Sequence, residues 1–162
     1  MSADNARAFR RAVEAGHLYI GPVPVVWKRY GYGQRAKLPI EGAPEGIGPY
    51  LLLHIGGREH SFSITLIWNE RIYGYDTAGD PHRDARQRTW LPPHRHWFND
   101  NEDEDAAPVD IAAAGIVRYQ DALQWFLDWI QLPSGHEWGE PLPVQQGQPG
   151  TLPTAHEGKK RQ

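Results

Sequence analysis

Apolar residues recur with helical spacing in two segments of the chain. Ala6, Phe9 and Val13 form one face of residues 5–15, which predicts an N-terminal helix. Residues 119–130 carry a longer apolar stripe with tryptophans on its flank, which predicts a second helix. A stripe of this kind is typical of a packing surface, so we expect the second helix to cover a sheet.

A period of two in the middle of the chain predicts β-structure. Residues 50–55 are a continuous apolar run, and residues 62–68 alternate along the chain as a half-buried strand does. A tight turn at residues 69–70 then leads into a third segment, residues 71–76. Because the connections between these segments are short, we expect an antiparallel meander.

The segments between these elements are less regular. Residues 25–27 predict a short fourth strand, whereas the glycine- and proline-rich residues 31–49 predict a long loop or loose hairpin, and residues 77–114 a polar connection. The chain therefore predicts an α+β fold, with an antiparallel sheet of about four strands, an N-terminal helix and a packed C-terminal helix. We expect one domain over residues 1–132 and a flexible Pro/Gly/Gln-rich tail over residues 133–162.

Composition excludes several classes of function. The 162 residues include no cysteine, so a disulfide scaffold, a thiol nucleophile and a cysteine-ligated metal are excluded. No window approaches the ~20 apolar residues of a membrane span, and the N-terminus lacks the apolar core of a secretory signal. We therefore expect a cytoplasmic protein with no membrane partner.

The net charge of −3 hides an asymmetry along the chain. Residues 1–99 carry a balance of +4, whereas residues 100–141 carry −9. The basic residues of the first part include a group over residues 28–37 that is interleaved with Tyr30 and Tyr32. A mildly basic body with an acidic segment leaves the class of partner open.

The candidate chemistry lies at and after the end of the third predicted strand. Its residues are Tyr75, Asp76, His82, Arg83, His94, Arg95, His96 and Trp97. Cleavage of RNA needs a base for the 2′-hydroxyl, an acid for the leaving oxygen and cations for the phosphate. We therefore assign acid–base roles to His94, His96 and His82. Phosphate binding is assigned to Arg83 and Arg95, and the role of orienting a histidine to Asp76.

Aromatic side chains complete this hypothesis of RNA chemistry. Tyr30, Tyr32, Trp90 and Trp97 can stack on unpaired bases, and Tyr75 adjoins the catalytic aspartate. The hypothesis requires neither a metal nor another cofactor.

Three alternatives stay open at this stage. His94 and His96, if extended, point to one face and could bind zinc, manganese or ferrous iron together with His82, Asp76 or Asp80. The same residues could instead hydrogen-bond to backbone and shape turns. The third alternative is a non-catalytic interaction module, of phage or mobile-element origin, that binds a protein through the acidic residues 100–105 and exposed aromatics.

A tyrosine–aspartate pair that ends a strand, then a glycine turn, a His-Arg-His motif and a closing helix form a recognisable order. The residues are Arg71-Ile72-Tyr73-Gly74-Tyr75-Asp76, Gly79, Asp80, His94-Arg95-His96 and the helix of residues 119–130. This order resembles the TumE-type toxins of bacterial type II toxin–antitoxin systems, over about residues 48–131. The resemblance implies a growth-inhibiting toxin that acts on RNA and is neutralised by a helix-turn-helix antitoxin. This chain departs from the family in the longer separation of its aspartate from its His-Arg-His motif.

Overall fold

The computed structural model describes residues 2–22, 24–57, 61–79, 81–84, 86–99 and 103–134. Two helices and nine strands lie within these ranges. The helices are α1 (Ser2–Glu14) and α2 (Tyr119–Ile130). The strands are β1 (Lys28–Tyr30), β2 (Gly33–Pro39), β3 (Tyr50–Ile55), β4 (Phe62–Trp68), β5 (Glu70–Asp76), β6 (His82–Arg83), β7 (Thr89–Trp90), β8 (His94–Phe98) and β9 (Glu104–Pro108).

Seven of the strands form one sheet, in the order β1-β2-β3-β4-β5-β8-β9. Every neighbouring pair is antiparallel, and β6 and β7 form a separate two-stranded sheet. The α+β class and the antiparallel meander are thus confirmed. The expected number of about four strands is too low, since residues 31–49 and 77–114 contain further strands.

Strand β2 lies in the segment that the sequence predicts as a loop or loose hairpin. Its alternate residues Ala36 and Leu38 are buried, whereas Arg35 and Lys37 point to the opposite face. The glycines and prolines around it obscure this alternation, because most of them lie in the turns that flank the strand.

The short strand predicted at residues 25–27 begins three residues later, as β1. Trp27 is buried and packs edge-on against Tyr119 of α2, with 5.2 Å between the ring centroids. Of the apolar residues that suggest a strand here, Trp27 therefore serves the core while Val26 is exposed, and Pro22 and Pro24 lack the N–H groups that a ladder requires.

The polar connection predicted over residues 77–114 contains four strands, and two of them extend the main sheet. Strand β8 carries the His-Arg-His motif and pairs with β5 on one side and β9 on the other. The acidic residues Glu104 and Asp105, which belong to this predicted polar connection, lie in β9.

Both helices cover the same face of the sheet. Helix α1 contacts β4, β5 and β8, and α2 contacts β4. Ala6 and Phe9 are buried as predicted, although α1 begins three residues earlier than expected and Ala3 adds to its buried face. The sidedness is clearest in β3 and β4, whose burial alternates residue by residue. No helix in the described ranges is long and apolar enough to cross a membrane.

Among the described residues, the opposite face of the sheet carries no helix and is mostly polar. We call it the open face. Across its middle it presents the outward residues of β3 and β4, all of them partly exposed: Leu52, His54, Ser63, Thr65 and Ile67. The tail predicted from residue 133 falls almost wholly outside the described residues; Ser134 bridges Ile20.

Candidate functional site

Asp76, His94 and His96 converge on the open face. Oδ2 of Asp76 lies 3.4 Å from Nε2 of His96 and 3.9 Å from Nε2 of His94. The two imidazole centroids are 5.8 Å apart. Both histidines are buried, at 2% and 3% exposure, whereas the Asp76 side chain is 34% exposed. We call these three residues the Asp–His–His cluster.

The pairing of β5 with β8 brings the three residues together. Asp76 lies opposite His94, and Gly74 lies opposite His96. Because side chains two residues apart share a face of a strand, both imidazoles point to the side of the Asp76 carboxylate. Gly74 leaves room for the His96 ring, since a Cβ at that position would lie 2.1 Å from Nε2 of His96.

Glu104 and Arg71 hold the far side of the His96 ring. Oε1 of Glu104 is 3.1 Å from Nδ1 of His96, and Arg71 donates to the same oxygen at 2.8 Å. Nη2 of Arg71 also lies 2.8 Å from Nδ1 of His96. The ring is therefore fixed from both ends, by Asp76 at Nε2 and by the Arg71–Glu104 pair at Nδ1.

A carboxylate oxygen faces each nitrogen of the His96 ring, from Asp76 at Nε2 and from Glu104 at Nδ1, while Nη2 of Arg71 lies 2.8 Å from Nδ1 and 3.2 Å from Nε2. A neutral ring that accepts a hydrogen bond from Arg71 at Nδ1 donates from Nε2 to Asp76, and an imidazolium donates to both carboxylates. Burial alone lowers the pKa of His96, but the hydrogen bonds with Asp76 and Glu104 outweigh burial and raise it above its usual value. His96 is thus suited to donate a proton towards Asp76.

Three of the predicted RNA-binding residues point away from this cluster. Tyr75, Arg95 and Trp97 alternate with the cluster residues along β5 and β8, so they lie on the face that the helices cover. Tyr75 is fully buried and packs 5.1 Å from Trp125, and burial raises its pKa to about 12. The Arg95 guanidinium lies 5.0 Å from the Trp129 ring.

The other predicted residues lie in or near the β6–β7 hairpin. Arg83 is exposed on β6, outside the main sheet. The backbone of His82 pairs with Trp90, but its side chain and the whole of Asp80 lie outside the described residues. The structure therefore brings together Asp76, His94 and His96 and leaves Arg83 on a separate hairpin.

Asp84 stabilises this hairpin. Its buried carboxylate accepts hydrogen bonds from Nε1 of Trp90 at 3.0 Å, from the backbone N–H groups of Arg86 and Arg88, and from the Arg88 side chain. Burial raises the pKa of Asp84, but these hydrogen bonds outweigh it and lower the pKa to about 2. The connection between Asp76 and His94 therefore contains a hairpin, β6–β7, which these hydrogen bonds stabilise.

Sequence reasoning missed Glu104 and Arg71 as members of the site. Glu104 belongs to an acidic run that indicates a solvated loop, and Arg71 is one polar residue at the start of a strand. The available signal is the period-two pattern of His94 and His96, which predicts a strand that needs a partner. It does not reveal which residues of that partner face the imidazoles.

The cluster has the donor set of a transition-metal site. One oxygen of Asp76 and one nitrogen from each of His94 and His96 lie within 4.8 Å of one another. Zinc, manganese and ferrous iron accept imidazole and carboxylate ligands. Glu104 would then hold the Nδ1–H of His96 and leave Nε2 to the ion, as carboxylates beside metal-bound histidines do.

Comparisons with protein-family models, with curated proteins and with solved structures gave no match to this chain.

Proposed function

We propose that the protein is a toxin-like enzyme of a toxin–antitoxin pair that cleaves RNA at the Asp–His–His cluster. The observation that supports this function is the convergence of Asp76, His94 and His96 on one face, although 17 residues of sequence separate Asp76 from His94. These are motif positions of the toxin resemblance. The partner expected from that resemblance is a helix-turn-helix antitoxin.

In the proposed reaction His94 is the base and His96 is the acid, and their ring centroids are 5.8 Å apart. His94 takes the proton of the 2′-hydroxyl, and the 2′-oxygen attacks the phosphorus. The bond from phosphorus to the 5′-oxygen breaks, and the proton on Nε2 of His96 passes to that oxygen. The products are a 2′,3′-cyclic phosphate and a 5′-hydroxyl, with no net change of protons on the protein. Asp76 orients both imidazoles and is the most exposed member of the cluster.

Growth arrest tests this function. Expression of the wild-type chain should stop growth of a bacterial host, and His94→Ala/His96→Ala should abolish the arrest, because general acid–base catalysis contributes ~100-fold or more per group. RNA from arrested cells should carry 2′,3′-cyclic phosphate ends. His17→Ala, which removes an exposed histidine outside the cluster, is the matched control and should arrest growth like the wild type.

Because both cluster histidines are buried, the double variant needs a check on its folding. Asp76→Asn is nearly isosteric and should also relieve the arrest, and circular dichroism of each purified variant tests whether it is folded. Equal arrest by the wild type, Asp76→Asn and the double variant would show that the cluster does not carry the toxicity.

A metal-dependent reaction at the same cluster is the second candidate, and the burial of the two imidazoles favours it. Two buried imidazole rings are more accessible to a small ion than to a large substrate. Glu104 faces Nδ1 of His96 and so supplies the hydrogen-bond partner that a metal-bound histidine usually has on its other nitrogen. On this alternative, protein purified without chelators contains about one equivalent of zinc, manganese or iron, and Asp76→Ala loses it. Elemental analysis measures this content. RNA cleavage by chelator-treated, metal-free protein would eliminate the metal mechanism.

A further inference from the structure

The open face carries a cluster of cations on β1 and β2, far from the Asp–His–His cluster. Lys28 lies directly opposite Arg35, and Lys37 follows two residues along on the same face. Together with Arg29 these residues line a surface cleft of about 440 Å³. None of the residues that line this cleft in the described ranges is acidic. Arg29 alternates with Lys28 along β1 and pairs with the buried Gln34, so we call only Lys28, Arg35 and Lys37 the cationic face.

The placement of these charges lowers the stability of the folded protein when no ligand is bound. Like charges directly opposite each other on an antiparallel pair are destabilising, and Lys28 and Arg35 are such a pair. The neighbouring His54, opposite Arg35 on β3, responds to the same field, since burial and the Arg35 charge lower its pKa. An anion bound at this face would remove the repulsion.

Aromatic rings hold the cations in place where carboxylates usually would. The Arg35 guanidinium lies 3.4 Å from the centroid of the Tyr30 ring, and Nζ of Lys37 lies 3.7 Å from that of Tyr50. A cation–π contact orients the cation but leaves its charge uncompensated. Tyr32, at the tip of the β1–β2 hairpin, is 94% exposed. Cations beside exposed rings are the arrangement with which proteins bind the backbone and bases of single strands.

A continuous row of cross-strand neighbours joins this face to the Asp–His–His cluster. Arg35 lies opposite His54, which lies opposite Ser63; Ser63 in turn lies opposite Asp76, and Asp76 opposite His94. All of these residues are on the open face, because directly paired residues share a face. Four steps between strands cover about 19 Å, at roughly 4.8 Å per step.

We propose that the cationic face binds the backbone of single-stranded RNA and that the strand runs along this row to the Asp–His–His cluster. The choice of RNA as the ligand rests on the proposed function, whereas the cationic face is inferred from the positions of its residues alone. The acidic residues of β9 do not occupy it. Glu104 is bonded to Arg71 and His96, and Asp105 to Arg88, at the opposite edge of the sheet.

Binding to a labelled 20-nucleotide single strand tests the inference. A 2′-O-methyl RNA is used, because it cannot undergo the proposed cleavage and so separates binding from reaction. Lys28→Gln/Lys37→Gln should weaken binding roughly tenfold by fluorescence anisotropy, and should lower the slope of log Kd against log salt by about 1.4, or 0.7 per lost phosphate contact. Tyr32→Ser should weaken binding without changing that slope.

The matched control removes two exposed arginines from other surfaces. Arg11→Gln/Arg86→Gln makes the same change in net charge, and it should leave both Kd and the salt slope close to those of the wild type. Lys28→Gln/Lys37→Gln should also melt at the same or a slightly higher temperature than the wild type, because the substitution relieves repulsion within the cationic face.

Failure of this inference is distinguishable from failure of the proposed function. Equal weakening by the two double variants would overturn the cationic face as the binding site. Tighter binding of duplex RNA, of an acidic peptide or of anionic vesicles than of the single strand would overturn the assignment of the occupant. Binding that follows the expected pattern while ordinary RNA stays uncut would leave the cationic face supported and contradict only the proposed reaction.

Discussion

Gly74→Ala should disassemble the Asp–His–His cluster while it leaves the surrounding strands in place. A Cβ at Gly74 would lie 2.1 Å from Nε2 and 2.2 Å from Cε1 of His96, far inside van der Waals contact. The imidazole, held between Asp76 and Glu104, must then leave its position. We expect a loss of growth arrest and RNA cleavage close to that of His94→Ala/His96→Ala, and a loss of about 1–3 kcal/mol in unfolding free energy.

The sign of this stability change is informative. Replacement of a glycine by alanine inside a strand ordinarily stabilises a protein by roughly 0.5–1 kcal/mol, so a loss identifies the clash. Gly48→Ala is the control, since no atom of the described part of the chain lies within 4 Å of its Cβ position. Denaturant unfolding of Gly74→Ala, of His96→Ala and of Gly74→Ala/His96→Ala gives a double-mutant cycle, which measures the interaction between the two positions. Gly74→Ala/His96→Ala should be more stable than Gly74→Ala, because the clash is gone, but it should be inactive. Full activity of Gly74→Ala would refute the role given to His96.

Phe126→Ala should destabilise the protein more than any surface change described above. Phe126 is fully buried in α2, where its ring lies 5.6 Å from that of Trp129. Removal of a buried phenylalanine leaves a cavity and costs about 3–5 kcal/mol, a large share of the roughly 5–15 kcal/mol that stabilises a typical domain. Urea unfolding should therefore show a much lower midpoint with a similar slope.

Two further variants test whether this loss of stability arises from packing in the core. Phe126→Leu keeps most of the volume and should lose much less than the alanine variant. Gln124→Ala changes an exposed residue of the same helix and should stay within ~0.5 kcal/mol of the wild type. A loss for Gln124→Ala as large as that for Phe126→Ala would mean that helix formation, rather than packing on the sheet, limits stability.

The helices and the central meander follow from local patterns. The apolar stripe over residues 119–130 coincides with α2, and the alternation over residues 62–68 coincides with β4, because each period matches the repeat of its element. The turn at Asn69 is equally local, since asparagine tolerates the positive φ of 62° found there. These elements were predictable because neighbouring residues alone set the side-chain directions.

The edges of the sheet were not predictable in this way. Strand β2 lies next to the edge strand β1, and the glycines and prolines around it obscure its short apolar alternation, whereas the edge strand β9 begins with two acidic residues. Such a strand owes its place to hydrogen bonds and packing with its neighbours rather than to an apolar pattern of its own. Residues 31–49, predicted as a long loop or loose hairpin, and residues 77–114, predicted as a polar connection, therefore contain strands that their local patterns did not reveal.

For the site, the sequence by itself determined the chemistry: histidine, arginine and carboxylate groups, no cysteine, and two histidines spaced to share one face of a strand. Only the tertiary structure decided which of these groups meet. The register of β5 against β8 sets Asp76 beside His94 and His96 and turns Arg95 to the helices. The pairing of β8 with β9 brings in Glu104. Register arises from contacts across the whole sheet, and a shift of one residue would reverse every face, so no local pattern contains it.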